Sequence, residues 1–163
     1  MMQQVAAWLE ATRIAAWVQE SQYGFALAVG VHILSLMFSV GMLVWFDLRL
    51  LGVSMLRIPV SRLYRRLMPW IVTGFVLMFA SGGVLLAAYA GAAFGNIYFR
   101  IKVAAILLAG VNAFFYHRFT ERQIARWDQA GTPSWPARAA GLISIALWAS
   151  VILAGRAMSY TIF

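Results

Sequence analysis

The chain has 163 residues, 63% of them hydrophobic and only 11% charged, with a formal net charge of +8 and no cysteine. Soluble domains are nearer half apolar and about a quarter charged, so this composition excludes a water-facing globular surface and the solvent must be largely lipid. The absence of cysteine excludes disulfides, thiolate metal sites, iron–sulfur clusters and covalent haem attachment.

The first segment, residues 3–19, reads as a helix too interrupted by Glu10 and Arg13 to cross a bilayer. Trp8 and Trp17 suit a helix lying in the interface. The segment lacks the basic start and unbroken apolar core of a signal peptide. Four stretches then follow, at residues 24–46, 68–90, 99–117 and 139–163, each of a length to span about 30 Å at about 1.5 Å per residue. His32 is the only ionisable residue of the first span. Pro59 and Pro69 read as breaking the loop before span two and starting that span. Arg100 and Lys102 fall in the first turn of span three and can snorkel to the headgroups. Turn chemistry at Gly131, Thr132, Pro133 and Pro136 precedes span four. The fold class that follows is all-α: one domain, 1–163, forming an antiparallel four-helix membrane bundle with an N-terminal interfacial helix.

The loops carry the charge. Arg49, Arg57, Arg62, Arg65 and Arg66 lie between spans one and two, against Asp47 alone. Arg118, Arg122, Arg126 and Arg138 lie between spans three and four, against Glu121 and Asp128. Residues 91–98 have no charge. By the positive-inside rule both basic loops are cytoplasmic and both termini are outside. Such segments favour membrane lipids as partners, by about 1 kcal/mol per basic residue near anionic headgroups, and this distribution does not suit nucleic acid. Gly74, Ser81 and Ala88 in span two, and Ala105, Ala109 and Ala113 in span three, fall at spacings that let membrane helices approach closely.

Ionisable residues inside a bilayer are costly and usually face the bundle interior. Counted along their helices, His32, Lys102 and Arg156 come to one level, in the outer half of the membrane, roughly 12, 5 and 10 Å deep. Ser35 shares the face of His32 and Tyr160 that of Arg156. Asn96 precedes span three, and Glu20 is the nearest carboxylate before span one. Together they predict an outward-facing cationic pocket for a quinone headgroup, a haem propionate or a small anion. In the bland alternative Lys102 and Arg156 snorkel and His32 bonds a backbone carbonyl or Ser35. His117 lies roughly 15 Å below His32. Two axial nitrogens of one haem stand only about 4 Å apart, taking about 2 Å for each bond, so the two histidines cannot share a haem within one chain. Asp47 and Arg49, at i and i+2, do not face each other on a helix and read as a structural clamp with other partners, such as Arg65 or Glu121. Asn112 reads as a cross-helix hydrogen-bonding residue. No phosphate loop, zinc motif or Ser/His/Asp set is present.

Several strings occur in order: Val31-His32-Ile33-Leu34, Asp47-Leu48-Arg49-Leu50-Leu51-Gly52, Met68-Pro69-Trp70 with Gly74-Phe75, Phe99-Arg100-Ile101-Lys102, and Gly155-Arg156 followed by Tyr160. In these, from about Ser21 onward, the chain resembles an uncharacterised bacterial family of small four-span inner-membrane proteins, a domain of unknown function. That resemblance implies a bacterial inner-membrane location and no established activity. A looser similarity of architecture links it to copper-resistance and cytochrome-b-like membrane proteins.

The expected function is a non-enzymatic, ligand-binding or accessory membrane subunit, serving a redox partner protein or acting as a homo-oligomer. One alternative is a b-type haem protein with His32 as axial ligand. Another is a small-solute transporter, which should carry more polar residues through the membrane than spans two and four do.

Overall fold

The structure, a computed structural model, describes residues 1–120, 128 and 133–162. Glu121, Arg122 and Arg126 of the second basic loop, the Gly131–Thr132 turn and Phe163 lie outside the described residues. The helices are α1 (Met2–Glu10), α2 (Arg13–Glu20), α3 (Gly24–Leu50), α4 (Val60–Ala88), α5 (Ala90–Gly95), α6 (Ile97–Phe115), a π-helical turn (Tyr116–Thr120) and α7 (Trp135–Ile162). No strand occurs among the described residues.

Four of these, α3, α4, α6 and α7, are long and apolar enough to cross a membrane. Only 11–33% of the most apolar window of each is buried inside the bundle. Leu34, Leu107, Phe114 and Leu153 are all exposed. In water so much contiguous apolar surface would aggregate; against lipid tails it is the outer face of a membrane bundle. The expected all-α four-helix membrane bundle is what the chain forms.

Two boundaries differ from expectation. The single helix predicted over residues 3–19 is two helices, because Thr12 interrupts it. Its hydroxyl donates to the Leu9 carbonyl (2.7 Å) and accepts from the Ala15 amide (3.3 Å), which caps α2. The pair docks on the bundle: Ala15 and Val18 are buried with Ala28 and Ala88, Gln19 donates to the Ala88 carbonyl, and Glu10 accepts from the Gly91 amide at 2.8 Å. Trp8 and Trp17 stay exposed.

The second span begins at Val60 rather than residue 68, and Pro69 lies inside the helix rather than starting it. A proline there forfeits one main-chain hydrogen bond. The helix nevertheless begins earlier, because Pro59 occupies its N-cap and Asp128 satisfies its first turn. That carboxylate accepts from the Ser61 amide (3.3 Å) and from the Ser61 hydroxyl. Arg62, Arg65 and Arg66 therefore sit on a helical extension.

Packing follows the small residues. Helix α3 lies against α4, where a Cβ on Gly74 would stand 2.8 Å from the Ser39 Cβ; only glycine permits that approach. Helix α7 packs on both α3 and α6. Two apolar clusters fill the bundle, one around Phe46, Leu63 and Tyr116, the other around Val40, Met78, Ala105 and Trp148. No comparable contact joins α4 to α6. The bundle is open between these two helices, and that opening holds the cavities described next.

Candidate functional site

The first cavity, ≈ 320 Å³, lies toward the end of the bundle that carries α1, α2 and α5, and its walls include His32, Met78, Gly82, Lys102 and Val151. His32 reaches it from about two turns into α3. Its Nδ1 lies 2.9 Å from the Met78 carbonyl oxygen and 3.2 Å from the Ser81 hydroxyl. A carbonyl can only accept, so Nδ1 carries the proton and donates. The Ser81 hydroxyl gives its own proton to the Leu77 carbonyl (2.7 Å), which leaves its oxygen free to accept from the same Nδ1–H. In the neutral ring the lone pair is then on Nε2. The imidazole lies flush on α4 because residue 82 is glycine: a Cβ there would meet the His32 Cε1 at 3.0 Å.

Lys102 enters the same cavity from the first turns of α6. Its stem crosses Gly155 of α7, with Nζ 3.7 Å from where a Cβ would stand. It is near enough to His32 for the two groups to interact electrostatically. No carboxylate among the described residues interacts with it. An ammonium without a counter-charge in a mostly apolar cavity is costly, and an acceptor-bearing ligand removes that cost.

The remaining predicted residues stand elsewhere. Arg156 is exposed on α7 and does not line the cavity. It donates to the Tyr160 hydroxyl at 2.8 Å and lies 4.5 Å from the centroid of that ring. The inward position is taken by Gly155 instead, so Arg156 and Tyr160 form an i, i+4 pair on the outer face. Ser35 is buried, but its carbonyl serves the Ser39 hydroxyl (2.7 Å), and the serine that meets His32 is Ser81, which the sequence suggests only as a packing residue. Asn96 caps α6 through the Tyr98 amide (2.8 Å) and holds Thr161 of α7 (2.7 Å). Glu20 is exposed and does not line the cavity. The carboxylate engaged at this end is Glu10.

A second cavity, ≈ 310 Å³, lies toward the basic end, and its polar walls are Asp47, Asn112, His117 and Ser144. Asp47 is hydrogen-bonded to Ser144, and Asn112 donates across to the Ala140 carbonyl of α7 at 3.0 Å. His117 meets the Tyr64 hydroxyl at 3.5 Å and packs edge-on to the rings of Tyr64 and Tyr116. From the sequence, Asp47 and Asn112 read as structural and His117 as an interfacial residue, while nothing singled out Ser144. Among the acidic residues described, Asp47 alone lies inside a membrane-spanning helix, because α3 runs on to Leu50, past the end expected at residue 46. Among the described residues Asp47 forms no ion pair with Arg49 or with Arg65, the partner expected for it. The Arg49 Nε donates to the Ile58 carbonyl (2.8 Å) and closes the loop after α3. Phe79 and Ile106 line both cavities and form the wall between them. The two histidines thus belong to different cavities.

Comparison with known proteins gave no match, whether to a family model, a curated protein or a solved structure.

Proposed function

We propose that this protein binds a lipid-soluble ligand with a single-ring, carbonyl-bearing headgroup of the quinone type in the cavity of His32 and Lys102. The observation that carries the reading is the unpaired Lys102 sharing that cavity with a histidine whose Nδ1 is committed to the Met78 carbonyl. Lys102 donates to a headgroup carbonyl. His32, with Nε2 as acceptor, takes a hydrogen bond from the hydroxyl of the reduced form. The opening between α4 and α6 lets such a ligand enter sideways from the bilayer. At ≈ 320 Å³ the cavity is at the small end of ligand pockets, which run from about 300 to 1,000 Å³, and this suits one ring better than a porphyrin.

In this reading the chain is a non-enzymatic accessory subunit that presents the ligand to a redox partner. The family resemblance and the loop charges support a bacterial inner-membrane location, with both termini periplasmic and the arginine-rich loops cytoplasmic. The test is equilibrium binding of a short-chain ubiquinone analogue to the purified protein in detergent. Saturable binding that is lost in Lys102→Ala and weakened in His32→Ala supports the reading; binding equal in all three proteins removes it.

One observation favours a second reading, a b-type haem protein. An Nδ1–H held by a main-chain carbonyl is the arrangement that orients metal-ligating histidines. His32 would supply one axial nitrogen, and the second axial ligand would come from another residue or a partner chain. A purified protein with no Soret band after expression with added haem excludes it.

A further inference from the structure

The second cavity points to a ligand of opposite charge. Asp47 is 3% exposed and lines this cavity, and its Oδ2 has no hydrogen-bond partner among the described residues. The neighbouring polar groups do not reach that atom: Ser144 is already hydrogen-bonded to the same carboxyl group, and Asn112 gives its amide to Ala140. Arg49, two residues along, is turned to the Ile58 carbonyl and does not line the cavity. A buried carboxylate oxygen left without a donor is costly, and native interiors rarely leave one so. The same cavity is lined by Phe75 and Trp148, stacked at 4.9 Å between centroids with 24° between planes.

We propose that this cavity binds a small amine with an apolar body. The ammonium pairs with the Asp47 carboxylate, and the apolar body rests against Phe75 and Trp148. Aromatic faces beside a carboxylate are a favourable setting for an organic cation. The volume, ≈ 310 Å³, admits a single ring with a short side chain. The site is separate from that of His32 and Lys102, with Phe79 and Ile106 between them, and does not depend on what that one holds.

The test is equilibrium binding of phenethylamine and of its neutral counterpart, phenethyl alcohol, to the full chain in detergent. Phenethylamine should bind saturably and more tightly than the alcohol. In Asp47→Asn, which keeps the shape, amine affinity should fall by about tenfold or more, because a charge-assisted hydrogen bond is lost, while the alcohol binds as before. Should Asp47→Asn fail to fold, Phe75→Ala removes one aromatic wall of the cavity and leaves Asp47 in place, and it should weaken amine binding. Equal affinity for amine and alcohol, or amine binding unchanged in Asp47→Asn or in Phe75→Ala, overturns the proposal.

Discussion

His32 donates from Nδ1 to the main-chain carbonyl of Met78 across 2.9 Å, so the tautomer of the only histidine in α3 is set by the backbone of α4. A main-chain acceptor cannot be mutated away, and the ring sits so close to Gly82 that a methyl group there, 3.0 Å from Cε1, would make the ring give way. Gly82→Ala is therefore expected to push the imidazole off α4 and loosen that bond. Nitrogen NMR of the imidazole should show the Nδ1–H tautomer in the native protein and a mixture in the variant. Gly30→Ala, where an added Cβ meets nothing within 4 Å, should leave the spectrum unchanged.

Gly74 sets the spacing of α3 and α4. Gly74→Ala places a Cβ 2.8 Å from the Ser39 Cβ and 3.2 Å from its Cα, and the backbone must move to relieve it. The expected loss is about 1–3 kcal/mol, the usual range for overpacking, read from reversible unfolding in mixed micelles. Gly41→Ala, in open space, should cost nothing measurable.

Arg49 acts through its Nε rather than its charge. It is 2% exposed, and it ties the end of α3 to Ile58. Arg49→Ala leaves that carbonyl without its donor and should cost about 1.5–3 kcal/mol, the range for hydrogen bonds to charged groups. Arg49→Lys should not restore the loss, because a lysine lacks the planar fork that places Nε there. Thermal unfolding of the three proteins measures it.

The proposed orientation has a clean test, since the chain has no cysteine to interfere. Leu56→Cys in the first basic loop and Gly95→Cys near the start of α6 each add one thiol, both at exposed positions. An impermeant maleimide applied to intact spheroplasts should label Gly95→Cys and spare Leu56→Cys. The reverse pattern inverts the topology.

Relative level along the helices was legible in the sequence, and facing was not. Rise along a helix is a count, so the common level of His32, Lys102 and Arg156 followed from position alone. Which side chain turns inward depends on about 100° per residue and on the neighbouring helix. Gly155 and Arg156 are adjacent, yet the first packs against the Lys102 side chain and the second pairs with Tyr160 on the outer face. Ser81 rather than Ser35 meets His32 for the same reason: the partner comes from α4, and its register against α3 is fixed by the Gly74–Ser39 approach. Pro69 read as a helix start because its missing N–H is least costly there, but Pro59 and Asp128 had already supplied the start eight or more residues earlier. The cavity at Asp47 needed four helices in place before its unpaired oxygen could be seen.

Photolabelling with a short-chain azidoquinone bears most directly on the cavity of His32 and Lys102. On illumination, adducts are expected on Gly82, Gly83, Leu86, Phe99, Val103 or Ile106, around that cavity. They should be suppressed by excess unlabelled quinone and absent in Lys102→Ala. Adducts spread over lipid-facing positions such as Leu34 and Leu153, unaffected by competitor and equal in Lys102→Ala, would contradict a quinone site between α4 and α6.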